Sequence, residues 1–187
     1  MKVIYLVIFF ALIQCTTLNA QEGSKYQMGI KGSINFSELI GFDAIPDRDK
    51  KVGYSFGLYQ NFKIKENFKL QTEVVWSLQG AEDKVKGRFN IAYINIPLLL
   101  KWEHRDFYLE LGPQVGILTI NSGKIEVGDQ VIHDFDTIDW LANVGIGYKL
   151  APDWYLGFRW SRGLSNLLDG MHLKNSVFSI GFSYRLH

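Results

Sequence analysis

Eight segments of period-two alternation, joined in turn by tight turns and long polar links, organise the chain after residue 25. They fall near 26–36, 53–64, 68–79, 92–102, 107–118, 138–150, 154–164 and 176–186. In the third, Phe68, Leu70, Val74, Trp76 and Leu78 share one face with Thr72, while Lys69, Gln71, Glu73, Ser77 and Gln79 share the other with Val75 as the exception. The last sets Phe178, Ile180, Phe182, Tyr184 and Leu186 against Val177, Ser179, Gly181, Ser183 and Arg185. A repeat of two is the signature of strands, and helical spacing fits none of these windows. Lys65-Glu66-Asn67, Glu103-His104-Arg105-Asp106 and Ala151-Pro152-Asp153 are tight turns, whereas 37–52, 80–91, 119–137 and 165–175 are long and polar. Short turns on one rim and long loops on the other are the layout of a transmembrane barrel, and an even strand number brings both termini to the short-turn rim.

After the first twenty residues no apolar run reaches the length that spans a bilayer as a helix. A closed barrel is the other structure that pairs every backbone group inside lipid. The face assignment agrees. One face is aliphatic and aromatic; the other is rich in glycine, serine and charge, a poor filling for a water-soluble core but a reasonable polar lumen. The expected lipid face carries Ile30, Leu58, Leu70, Val74, Leu98, Leu109, Val115, Val144, Ile146, Leu156 and Ile180. Aromatic girdles flank this band: Tyr26, Phe62, Phe68, Trp102, Phe107, Tyr148, Trp154 and Tyr184 toward the short-turn rim, and Phe36, Tyr54, Trp76, Trp140, Trp160 and Phe178 toward the other. The fold class expected is all-β, an eight-stranded antiparallel up-and-down transmembrane β-barrel. Three residues fit it poorly. Gln60 falls on the lipid face, and Pro97 and Pro113 fall inside strands, where a bulge at each is expected.

Residues 1–20 read as a secretory leader and 21–187 as the barrel domain. Lys2 supplies the positive end, Val3–Ile13 is an apolar run too short to span a bilayer, and Ala20 precedes the expected cleavage. Leu12-Ile13-Gln14-Cys15 has only a faint likeness to a lipoprotein box, because Gln14 is bulky where a small residue is wanted. Cys15 is the single cysteine, which excludes an internal disulfide and a cysteine-built zinc site. A net charge of +1 gives no electrostatic case for nucleic acid.

The chain resembles the PorT-like outer-membrane β-barrel proteins of Gram-negative bacteria. The resemblance lies in the opening stretch from Met28 to Phe36 (MGIKGSINF), in Tyr93 to Lys101 (YINIPLLLK), and in Leu111-Gly112-Pro113-Gln114-Val115-Gly116. The ending, Ser179-Ile180-Gly181-Phe182-Ser183-Tyr184-Arg185-Leu186, is similar to an outer-membrane assembly signal, with His187 a departure from the usual final aromatic. The resemblance implies an outer-membrane location, a lipid-bilayer partner and recognition of the last strand by the barrel-assembly machinery. Some such proteins take part in protein secretion; most have no assigned activity.

Lys31, Glu73, Glu110, Lys149, Arg159 and Arg185 are the charges expected to face the lumen. They are read as a salt-bridged plug rather than a selective pore lining, since eight strands enclose a space filled by their own side chains and an unpaired buried charge is expensive. Glu73 is expected beside Lys31 or Arg159. The carboxylates of two long links (Asp43, Asp47 and Asp49; Glu126, Asp129, Asp134 and Asp136, with His133 and then Asp139) match no calcium-loop spacing and are read as solvated. No nucleophile elbow, zinc-protease motif or phosphate loop is present, so no catalytic, cofactor or metal residue is expected. The function expected is non-enzymatic: a structural, binding or envelope-assembly component, with an envelope protein as a candidate partner through the long loops. Two readings from other classes compete. A soluble lipocalin-type carrier needs the apolar face turned inward, and an outer-membrane hydrolase needs His133, Asp134 and His172 to meet at the outer rim.

Overall fold

The computed structural model describes residues 26–41, 49–79, 81–83, 87–88, 90–122, 125–127, 130–132, 137–165 and 174–186. The leader with Cys15, the link residues Asp43, Asp47, Asp129, His133, Asp134, Asp136 and His172, and the side chains of Asp49 and Glu126 lie outside this description. Eight long strands make the body: β1 (Tyr26–Ile40), β2 (Asp49–Lys63), β3 (Phe68–Gln79), β4 (Asn90–His104), β5 (Phe107–Ser122), β6 (Ile138–Lys149), β7 (Trp154–Gly163) and β8 (Lys174–Arg185). Each pairs antiparallel with the next, and β8 returns to β1 from Gly29↔Arg185 to Ile40↔Lys174, so the sheet closes into an eight-stranded barrel.

Most strands outrun their expected ends on the long-link side. β1 continues to Ile40, β2 starts at Asp49 and β5 runs to Ser122. Polar side chains there do not interrupt the ladder, because above the bilayer a strand needs no apolar face. Two long links also carry short strands: Ala81–Asp83 pairs with Gly87–Arg88, and Ile125–Val127 with Gln130–Ile132.

Two tight turns close alike. Ile64 N–H donates to Phe68 O (2.9 Å) and Phe68 N–H to Lys65 O (3.3 Å); Leu150 N–H donates to Trp154 O (2.9 Å) and Trp154 N–H to Ala151 O (3.2 Å). Pro152 takes the second position of its turn, where a φ fixed near −65° is already correct. The remaining turn is tighter than expected. Glu103 and His104 stay in the ladder opposite Tyr108 and Phe107, which leaves Arg105 and Asp106 to reverse the chain. Arg105 adopts φ 55°, a left-handed conformation in which a Cβ is crowded.

The side-chain orientation is decisive. Ile30, Leu58, Leu98, Leu109, Leu111, Val144 and Ile146 are exposed, whereas Gln71, Glu73, Ser77, Asn95, Gln114 and Asn143 are buried around the axis. A large aliphatic side chain left in water forgoes about 1.5–3 kcal/mol relative to burial, and soluble monomers rarely expose contiguous apolar patches beyond a few hundred Å². From Phe107 to Ile117 the outward residues of β5 rise about 34 Å along the strand, or about 26 Å across a membrane at a tilt of about 40°. That matches an apolar band about 25 Å tall. The chain is a membrane-spanning barrel, and the inward apolar face that a lipocalin-type carrier needs is not what the fold presents.

The prolines are accommodated differently from the bulges expected. Register is continuous through both. The ladder between β3 and β4 skips the pairs between Thr72↔Leu98 and Val75↔Asn95, and that between β4 and β5 skips the pairs between Pro97↔Gln114 and Leu100↔Leu111. A missing N–H opens the ladder locally without inserting a residue. The bulge lies elsewhere, where Ala92 opposes Ile120 and Tyr93 opposes Leu118, so Thr119 is the extra residue; its hydroxyl donates to Ala92 O at 2.9 Å. Gln60 keeps its outward register between Leu58 and Phe62, opposite Met28 and Thr72, but is 4% exposed. Neighbouring side chains cover it.

Two glycines fix how a lumenal ring packs. A Cβ on Gly147 would collide with the Tyr108 ring, and one on Gly157 would stand 2.5 Å from the Tyr108 hydroxyl. The strand glycines thus admit an aromatic ring from a neighbouring strand. Replacing Gly147 with Val is expected to displace Tyr108 and lower stability by about 1–3 kcal/mol, read as a lower urea midpoint of the refolded barrel. Arg105→Asn, which tolerates the left-handed angle better, is expected to raise stability by up to about 1 kcal/mol, read as a higher midpoint; a lower midpoint refutes the reading of strain at Arg105.

Candidate functional site

Within the strands that cross the membrane, charge is turned to the lumen. Odd-numbered residues of β1, β3, β7 and β8 and of most of β6 point inward, as do even-numbered residues of the lower half of β5. That parity brings Lys31 of β1, Glu73 of β3, Glu110 of β5 and Arg159 of β7 to one level. Lys31 Nζ donates to both oxygens of Glu73 at 3.0 Å. Arg159 grips the same carboxylate with both terminal nitrogens, Nη1 at 2.8 Å and Nη2 at 2.7 Å, and turns Nε to Glu110 Oε1 at 2.6 Å. Gln71 donates a further hydrogen bond to Glu73. Glu73 is fully buried and lies beside both cations named as its candidate partners.

Two positive and two negative groups therefore cancel within one cluster. Burying any one alone would cost several kcal/mol, and the forked geometry of Arg159 satisfies two carboxylates at once. The other two charges expected in the lumen do not join it. Arg185 stands at the short-turn rim, where it holds Asp153 Oδ1 through Nη2 at 2.7 Å and Nε at 2.9 Å. Lys149, also at that rim, is part-exposed and makes no ion pair among the described residues.

A second charged layer toward the short turns was less legible. Lys69 Nζ lies 2.6 Å from Glu103, Lys101 Nζ lies 3.5 Å from it, and Lys69 also donates to Gln27 at 2.9 Å. Lys101 sits over the ring of Tyr108, 3.9 Å from its centroid, and 5.1 Å from that of Tyr155. A cation over a ring face is held by the ring quadrupole. Parity alone points Lys69 and Lys101 inward; Glu103 is missed when it is assigned to the turn. Toward the long-link rim the lumen is mostly amide and hydroxyl, with two buried charged side chains, Lys51, whose Nζ donates to Gln79 O at 3.0 Å, and Asp139. Asn35 donates to Ser77 at 3.0 Å, and Asn175 and Ser161 donate to Gln79 and Asn143. Asp139 also turns inward and accepts from Ser165 Oγ at 2.9 Å, so it belongs to the wall and not to the solvated link.

Two cavities of about 40 Å³ share Lys31, Ser33, Arg159 and Ser179 in their walls, so the ion cluster stands between them. Each has room for a few water molecules, not for a solute file. Among the described residues no group of three His, Cys, Asp or Glu converges in a way that holds a metal ion.

On the outer face the named girdle residues pair across strands. Tyr26 and Phe62 meet edge to face at 5.2 Å, Trp154 and Tyr184 lie 4.9 Å apart, and Trp102 stacks on His104 at 5.7 Å, all toward the short-turn rim. Phe68 is exposed at that rim beside Trp102. At the other end Trp76 packs against Tyr54 and Phe56, and Trp140 and Trp160 are exposed.

The comparisons agree with this geometry. Residues 19–169 match the family described as outer membrane protein beta-barrel domain. No curated protein matches the chain in sequence. Among solved structures, Neisserial surface protein A is similar at 11% identity and a TM-score of 0.53, covering 88% of this chain and 99% of that one. Ail, the attachment invasion locus protein of Yersinia pestis, is similar at 14% identity and a TM-score of 0.51, covering 86% of this chain and 97% of that one. At such identities the likeness is one of fold. With its sheet closed, its apolar side chains outward and that sequence pattern over most of its length, the chain belongs to the outer membrane protein beta-barrel domain family.

Proposed function

We propose that this chain is a non-enzymatic outer-membrane barrel with a closed lumen, serving as a structural or binding component of the envelope through the segments on its long-link rim. The observation that carries the reading is the cluster of Lys31, Glu73, Glu110 and Arg159, in which Glu73 is bound by both cations and Arg159 by both carboxylates. Ionisable groups committed to one another in this way neither line an open path nor stand ready for acid-base chemistry. The PorT-like resemblance would add a part in protein secretion; it rests on short motifs, and the reading here does not depend on it. Residues 1–20 as an export leader, and the last strand as the segment met by the assembly machinery, belong to the same proposal.

Two measurements test it. Refolded into planar bilayers, the protein is expected to show no steady conductance; a stable open channel in the unmodified protein would overturn the closed-lumen reading. Removing one partner from the cluster strands a buried charge, so Glu73→Gln is expected to lower unfolding stability by about 3–5 kcal/mol, measured by urea titration of tryptophan emission in liposomes. A loss below about 1 kcal/mol would show that water already screens these groups.

A further inference from the structure

The lipid-facing surface carries very little charge. Among the outward strand positions on the long-link half whose side chains are described, charge is held by Glu38 on β1, Arg162 on β7 and Lys174 on β8, and the rest are apolar, aromatic or small. Arg162 and Lys174 are diagonal neighbours: Arg162 pairs in register with Ser176, and Lys174 lies one outward step further along β8. Neither makes an ion pair among the described residues. An arginine beside a lysine, neither with a side-chain hydrogen bond or ion pair among the described residues, stands out in a protein that pairs the cations of its mid-lumen.

The surroundings of Arg162 are built. Its guanidinium lies 5.7 Å from the ring of Trp160, two residues nearer the bilayer. The Trp160 indole is itself fixed, since Nε1 donates to Ser176 Oγ at 3.3 Å. The flanking positions in register are Ala142 on β6, which is small and exposed, and Ser176 on β8, which the Trp160 indole helps to cover, and Arg162 itself is exposed. The exposed Trp140, opposite Leu164, adds a second indole just beyond. Trp160 pairs in register with Phe178 within the outer girdle. Arg162 therefore stands about 7 Å further along the strand, or about 5 Å further from the bilayer centre at a tilt of about 40°. That is headgroup level, at the outer edge of the aromatic belt and between the levels of Trp160 and Trp140.

We propose that Arg162 and Lys174 form a seat for the phosphate of a phosphorylated glycolipid in the outer leaflet, with Trp160 and Trp140 packing against its sugar and first methylenes. The charge sign is complementary: one cation supplies a planar fork that matches phosphate oxygens, and the other a point charge within reach of the same group. The leaflet follows from topology, because the long links of such barrels face outward. Glu38, the nearby carboxylate, is separated from Arg162 by the Ser176 position and has a contact of its own. The inference rests on the outward placement of the long-link rim and not on the closed lumen, so a conductance result leaves it untouched.

Native mass spectrometry of the detergent-folded barrel tests it, with bis-phosphorylated lipid A, its dephosphorylated form and phosphatidylglycerol as probes. Folding is scored separately by heat-dependent electrophoretic mobility. The folded protein is expected to retain bis-phosphorylated lipid A at least tenfold over the dephosphorylated form and over phosphatidylglycerol. The double variant R162Q/K174Q, and R162Q alone to a lesser extent, are expected to lose that preference, while K65Q on the opposite rim keeps it. Equal retention by the double variant would overturn the proposal. So would equal retention of dephosphorylated lipid A, which would mark a greasy contact alone, or of phosphatidylglycerol, which would mark a general anionic one.

Discussion

Closure of the sheet is the condition on which every other feature depends. Inside hydrocarbon an unpaired N–H or C=O costs several kcal/mol, so a strand edge cannot be left in lipid. The pairing of β1 with β8 removes the last edge, and its twelve register pairs run nearly the full length of both strands. Once the ring is closed, period two separates two environments without further instruction. One set of side chains meets acyl chains and the other meets its own kind across a narrow lumen. The two prolines show how much slack closure leaves. Each opens its ladder for two positions, yet register on either side is unchanged, because the neighbouring pairs hold the strands in place.

Much of this was legible in the residues. Alternation in β3, β7 and β8 identifies strands, and alternating link lengths identify the rims. The sorting of Leu109 and Leu111 from Tyr108 and Glu110 identifies the two faces. Glu73 could be matched to Lys31 or Arg159 because parity put all three inward. What parity cannot supply is shear, the stagger that decides which inward residue of one strand stands level with which residue of a strand two places away. Hence Lys149 and Arg185 read as charges of one lumenal plug with the others, although they lie at the short-turn rim. The end of β4 is hidden by composition: Glu103 and His104 look like turn residues by polarity, and only the Arg105–Asp106 reversal returns them to the ladder. The bulge at Thr119 has no proline or glycine to announce it.

The interior is layered by chemistry. A cationic and aromatic layer of Lys69, Lys101, Tyr108 and Tyr155 lies near the short turns, the balanced quartet sits in the middle, and amides and hydroxyls lie toward the long links with Lys51 and Asp139 among them. Tyrosine rings fill volume where the wall is lined by glycine, so the section is packed by a few large groups set against bare backbone. Charge is thereby densest at the levels where an opposite charge is within reach, and toward the outer end Lys51 donates to Gln79 O while Asp139 accepts from Ser165.

The quartet draws its members from β1, β3, β5 and β7, every other stave of the cylinder. No single hairpin contains two of them, so the arrangement is incomplete until the whole ring has assembled. A slip of two residues in any of these staves would carry one ion about 7 Å from its neighbours and strand it in a dry interior. The quartet thus acts as a combination lock on stagger, penalising misaligned cylinders that the greasy exterior, indifferent to sliding, would accept.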